Sequence, residues 1–144
     1  MRIVFDIDDT ISRSRNGDYA NAIPDLEVIE KINTLYNEGI EIYLYTSRGM
    51  LSCNENLDLI KEKNQDILID WLSRYKVKYH QLIFGKPLAD LYVDDKAMNI
   101  QNFKKESFYP LKGGSGQQIY KMGSIVKKQL ENKDKLEEFL NWIQ

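Results

Sequence analysis

At 144 residues the chain has the length of one domain with a single sizeable core. Its 42% hydrophobic and 29% charged residues, with a formal net charge of −2, give no general pull toward nucleic acid or an anionic membrane. A lone Cys53 excludes an intrachain disulfide framework, no apolar run has the length of a membrane span, and the acidic residues from Asp6 interrupt what would be the apolar region of a signal peptide, so a cytoplasmic protein is expected.

The chain opens with Arg2–Phe5, a short apolar, β-branched and aromatic run that predicts a fully buried strand, ended abruptly by Asp6, Asp8 and Asp9. Residues 12–23 are polar and Gly-containing, a loop. Pro24 and Asp25 predict a helix start; Leu26, Ile29, Ile32, Leu35 and Tyr36 follow at helical spacing, and Gly39 stops the run. Residues 40–45 predict a second strand closed by Thr46-Ser47-Arg48. A loop over 50–63 leads to a second amphipathic helix, with Ile67, Leu68, Trp71, Leu72 and Tyr75 on its inner face. Residues 82–84 predict a third strand ending at Gly85-Lys86-Pro87, and 91–93 a fourth ending at Asp94-Asp95.

This βαβ rhythm predicts an α/β fold, a parallel sheet with helices on both faces. Right-handed crossovers align the strand C-termini along one edge, where ligands of open α/β sheets bind. After about residue 103 the character changes. Gly-rich turns between β-prone pieces over 104–131 predict a hairpin or loop, and residues 132–144 a closing helix with Leu136, Phe139, Leu140 and Ile143 on its apolar face. One domain over 1–144 is expected, with its core in about 1–103.

Every polar cluster lies at a predicted strand end: Asp6 and Asp8, Thr46, Lys86, then Asp94 and Asp95. Like charges this close repel, and gathering them is intelligible if a divalent cation offsets the repulsion. Mg²⁺ takes oxygen ligands, a few carboxylates with waters and a phosphate oxygen completing the set. Lys86 and Thr46 add donors suited to a phosphoryl group. One carboxylate can then attack phosphorus, and a second, two residues along, can give a proton to the leaving oxygen and later activate water.

These residues carry a resemblance. Asp6-Ile7-Asp8-Asp9-Thr10 matches the D-x-D-x-T signature of the haloacid dehalogenase (HAD) superfamily of phosphatases. Tyr43-Leu44-Tyr45-Thr46 resembles its second motif, Lys86 the lysine of the third, and Tyr92-Val93-Asp94-Asp95 the paired acids of the fourth, in family order. The resemblance implies a Rossmann-like HAD core and a Mg²⁺-dependent phosphomonoester hydrolase. Asp6 would be nucleophile and metal ligand, Asp8 general acid/base and ligand through its carbonyl, and Asp94 the third ligand. Asp95 would hold Lys86 or a metal-bound water, Thr46 with its neighbours Ser47 and Arg48 would bind phosphate or substrate, and Thr10 would support the turn. The stretches "DYANAIPDLEVIEKI", "TSRGM" and "GKPLADLYVDD" further resemble small HAD phosphatases of bacterial capsule and surface-polysaccharide synthesis, implying a small phosphorylated sugar or amino-alcohol as substrate. Thr46 follows Asp8 by 38 residues and Lys86 follows Thr46 by 40, room for a crossover helix but not for a cap domain. An uncapped site invites help from a neighbouring subunit, so a homo-oligomer, dimer or tetramer, is a further expectation.

Bland readings stand beside these. Arg13, Arg15 and Arg48 flank the expected mouth, as solvated surface arginines or as contacts for an anionic substrate. Tyr19 and Asn21 read as packing or turn residues, and His80 as a turn residue before the third strand. Leu59 stands six residues after Cys53, where a Cys-based phosphatase loop needs Arg. "GGSGQQIYKMGSIVKK", with Lys127 or Lys128, faintly resembles a kinase glycine-rich loop, but lacks G-x-G-x-x-G and any room for a catalytic loop. A dehalogenase has no need of Asp8, a phosphotransferase normally needs a cap, and a non-catalytic HAD-fold partner of a capsule-assembly complex has no need of the full set of acids.

Overall fold

The computed structural model describes residues 1–112 and 118–122. Where one domain is expected, contacts group the chain into two compact units: Arg2–Ala97, and Met1 with the stretch from Met98 onward. The expected change of character near residue 103 falls just inside the second.

The first unit is built on a parallel sheet of three strands, β1 (Arg2–Phe5), β4 (Glu41–Thr46) and β5 (Gln81–Phe84), in the order β1-β4-β5. Between β1 and β4 lie a two-residue ribbon, β2 (Ser12–Arg13) with β3 (Ile23–Pro24), a 3₁₀ turn at Tyr19–Asn21, and helix α1 (Leu26–Asn37); helix α2 (Leu57–Arg74) joins β4 to β5. This is a mixed α/β fold of Rossmann-like character. Phe5 pairs with Leu44 and Thr46 with Phe84, so β4 and β5 end together and β1 ends beside Leu44, just before them, on the same edge of the sheet.

Alternation along β4 shows which face is the core. Ile42, Leu44 and Thr46 are wholly buried, while Glu41, Tyr43 and Tyr45 between them are half-buried. Helix α1 packs against β4 and α2 against β5. The expectation of a fully buried β1 is corrected. It is an edge strand whose Val4 points to the other face and is 53% exposed, leaving Phe5 as its buried anchor.

The fourth predicted strand is also corrected. Residues 91–93 form no strand; Leu91, Tyr92 and Val93 are all exposed, Val93 to 90%. An apolar triplet such as Leu91-Tyr92-Val93 becomes a strand only where a ladder partner and a covering layer exist, and the described residues supply neither.

Capping fixes both helix starts. Asp25 accepts the Val28 N–H before α1, as its sequence suggests. Asn56 accepts the Leu59 N–H before α2, so that helix begins well inside the expected 50–63 loop. The earlier start brings Ile60 and Asn64 inward beside Leu68, Trp71 and Leu72, and leaves Ile67 41% exposed rather than on the inner face.

In the second unit, α3 (Ile100–Lys105) buries Phe103. Strands β6 (Phe108–Lys112) and β7 (Gln118–Met122) pair antiparallel, the hairpin expected from the Gly-rich stretch. The expected closing helix and the two candidate kinase lysines lie outside the described residues.

Candidate active site

Directly after β1 the chain turns sharply. Ile7, completely buried, offers its carbonyl to the N–H groups of Thr10, Ile11 and Ser12, while Asp9 takes a left-handed φ of 62°. The turn holds Asp6 and Asp8 on either side of a buried anchor, and Thr10 Oγ1 donates to Asp6 Oδ2 at 3.0 Å.

Two cations close on these acids. Lys86 Nζ lies 3.2 Å from Asp6 Oδ1, both side chains partly exposed, with the lysine also over the Tyr92 ring at 4.6 Å. Arg48 forks onto Asp8, Nη2 to Oδ1 at 2.8 Å and Nε to Oδ2 at 3.2 Å. Thr46 joins the two cations. Its hydroxyl accepts the Arg48 N–H at 3.0 Å, and its carbonyl accepts the Lys86 N–H at 3.1 Å. Asp6, Lys86, Thr46, Arg48 and Asp8 therefore form one bonded chain across the C-terminal ends of three parallel strands. Glycines shape both approaches. Gly85, at φ 92°, turns β5 into Lys86, and Gly49, at φ 80°, packs against Ile60 and Asn64 of α2 just after Arg48.

Arg48 is the residue the sequence placed least well. A solvated arginine was the simpler expectation, yet its side chain is 1% exposed and Tyr19 lies 4.1 Å over the guanidinium. Tyr19 is held there by α2: Trp71 Nε1 donates to the Ala22 carbonyl at 2.9 Å and Arg74 to that of Ala20 at 2.9 Å. Nη1 of Arg48 is buried with no hydrogen-bond partner among the described residues, and leaving a charged donor unpaired costs roughly 1–3 kcal/mol or more. No sequence signal marks Tyr19 as the cover of Arg48, because the two meet only through the fold.

The other expected residues are placed as follows. Thr46 is wholly buried, its oxygens turned to the backbone of Arg48 and Lys86. Ser47 Oγ donates to the Pro87 carbonyl at 3.4 Å. Arg13 and Arg15 are exposed, as is Asn21, which bonds Asp18 within its own turn. Cys53 is buried. His80 stands before β5, stacked on Tyr36, and its Nδ1 accepts the Ile42 N–H at 3.0 Å. Asp94 and Asp95 are exposed on the irregular segment after residue 85. Asp94 accepts the N–H of Lys96 at 2.7 Å, and among the described residues Lys86 pairs with Asp6 rather than Asp95.

The donor set was tested against Mg²⁺. Asp6 and Asp8 are hard oxygen donors at one strand end, and Mg²⁺ is commonly held by one or two carboxylates with waters and substrate phosphate. Those two fit. Asp94 does not join them, and among the described residues no group of three or more His, Cys, Asp or Glu is placed to hold a metal.

Comparison adds a relative. A crystal structure from Vibrio cholerae, described only as an MCSG target, is 30% identical and superposes with a TM-score of 0.69 over 72% of this chain and 86% of that one. The two chains belong to one family. Membership in it supports the Rossmann-like α/β fold, while the description of the Vibrio protein states no activity. No family model and no curated protein matches the chain. What the family does is therefore argued from the site.

Proposed function

We propose that the chain is a phosphomonoester hydrolase of the HAD type, working through an aspartyl-phosphate. The observation that carries this reading is the bonded chain Asp6–Lys86–Thr46–Arg48–Asp8, two carboxylates and two cations at one sheet edge. Such a set suits phosphoryl transfer, in which the protein's work is mostly positioning and charge neutralisation.

A carboxylate oxygen of Asp6 attacks phosphorus as the bond to the leaving oxygen breaks, and Asp8 delivers a proton to that oxygen. Asp8 then takes a proton from water, whose oxygen attacks phosphorus and releases phosphate and free Asp6. Lys86 aligns Asp6 and neutralises charge on the phosphoryl oxygens. Thr46 fixes the backbone from which Arg48 and Lys86 reach inward, and Thr10 orients Asp6 through Oδ2. Asp6 through its carboxylate and Asp8 through its backbone carbonyl would hold Mg²⁺, which when bound would supply further charge neutralisation. The motif likeness points to a small phosphorylated sugar or amino-alcohol of surface-polysaccharide synthesis as substrate, a cytoplasmic setting, and a homo-oligomer.

The test is phosphate release from a panel of sugar, glycerol and amino-alcohol phosphates, with Mg²⁺ or with EDTA. The expected result is Mg²⁺-dependent release favouring one compound, abolished in Asp6→Asn. Wild-type turnover by Asp6→Asn would overturn the covalent mechanism. Silence across the panel from folded protein would favour the non-catalytic partner.

A further inference from the structure

Asp8 has its two carboxylate oxygens committed to Arg48. To reach the leaving oxygen of a substrate, that carboxylate has to rotate, and rotation breaks at least one arm of the fork. Arg48 meanwhile is under-satisfied: of its three guanidinium nitrogens two find Asp8, and Nη1, which is buried, finds no partner among the described residues. Asp8 is the accessible half of the pair, 29% exposed against 1% for Arg48, so an anion arriving at Asp8 meets the fork from its open side. A guanidinium fork matches phosphate as well as carboxylate. The difference lies in the edge that is gripped: a terminal phosphoryl group can take the Nη1–Nη2 edge of the planar guanidinium, and so engage the donor that the carboxylate's grip on Nε and Nη2 leaves unpaired.

We propose that the Asp8–Arg48 fork is a latch that substrate opens. The phosphoryl group takes the guanidinium from Asp8, engaging Nη1 as well, and Asp8 is released to turn toward the leaving oxygen. Tyr19, stacked on Arg48 and carried on a turn tied to α2 through Trp71 and Arg74, keeps the guanidinium dry until that exchange. This rests on the phosphomonoester reading. It adds that the resting site is closed upon itself, and that Asp8 competes with substrate for Arg48.

The experiment titrates inorganic phosphate into the full chain with Mg²⁺ present, in two readouts. In the first, the Arg48 Nε–H resonance of the wild type is followed by ¹⁵N NMR, assigned by its loss in Arg48→Lys. In the second, calorimetry gives phosphate affinity for the wild type, Asp8→Asn, Arg48→Ala and the double variant. The expected result is that the Arg48 signal moves with saturation, that Asp8→Asn binds phosphate about tenfold tighter, and that this gain falls below about twofold without Arg48. Saturable binding with an unmoved Arg48 signal, or an equal gain with and without Arg48, overturns the latch and leaves the phosphatase reading standing. No phosphate binding by either wild type or Asp8→Asn overturns both. Should the Arg48 variants fail to fold, the Nε–H is assigned instead by its through-bond correlation to the Arg48 backbone, and the wild-type resonance decides alone.

Discussion

Lys86 is the side chain whose role is easiest to isolate. It contacts Asp6 at 3.2 Å and is partly exposed, so Lys86→Ala removes a charge partner without opening a core cavity. In the proposed chemistry it leaves the attacking carboxylate unaligned and the phosphoryl charge less neutralised. Steady-state kinetics should show kcat reduced by about 10²–10³, the usual cost of one preorganised donor, with the thermal midpoint little changed. The residue before it has the opposite character. Gly85 holds φ 92°, and a Cβ there would come within 2.7 Å of a Leu57 methyl. Gly85→Ala should cost about 1–2 kcal/mol in urea unfolding, the leucine yielding but the backbone remaining strained. Asp6, Asp8 and Lys86 were legible because their chemistry is local to strand ends. Arg48 was not, because its burial depends on Tyr19 in another loop and on the α2 residues that hold that loop.

Among the elements, legibility followed whether the signal was carried by neighbours in sequence. Helix α1 shows its cap at Asp25 and its stop at Gly39, with φ 91°. The cap of α2, Asn56, lies in a polar stretch whose hydrophobic periodicity starts weakly, so the helix was placed too late. Asn56 is exposed and its cap bond goes to Leu59 rather than to the strand-end network, and Asn56→Ala should cost about 1 kcal/mol with turnover of the folded protein little changed, measured by urea unfolding beside the activity assay. The first strand pair offers a pH test. The hydrogen bond from Arg2 holds the Glu41 carboxyl below its usual range. Its contribution is therefore present above the unfolded-state carboxylate range and lost as pH falls through the lower folded value. Thermal midpoints of wild type and Glu41→Gln should differ slightly at neutral pH and converge in acid. The 91–93 triplet shows what periodicity cannot say: Leu91-Tyr92-Val93 is a continuous apolar run, but a strand needs a partner. With Val93 90% exposed, Val93→Lys should change stability by no more than about 0.5 kcal/mol, whereas a buried fourth strand would lose several times that.

For the whole molecule, the open question is how far the metal reading extends beyond the Asp6–Asp8 pair. A cation that binds the folded chain and not the unfolded one stabilises it by mass action, about 2.7 kcal/mol at a hundred times Kd. Mg²⁺ should therefore raise the thermal midpoint of the wild type, and Asp6→Asn should lose most of that rise, since Mg²⁺ draws its affinity from few carboxylates. This readout is independent of turnover and so separates metal binding from catalysis. Asp94→Asn then reads the third ligand that the motif likeness implies. In the arrangement described, Asp94 accepts a hydrogen bond from its own turn and belongs to no group of acids placed for a metal among the described residues, so the Mg²⁺-induced rise should persist in that variant. Loss of the rise in Asp94→Asn would mean that the exposed segment after Tyr92, which touches Lys86 through its ring, moves in when the cation binds.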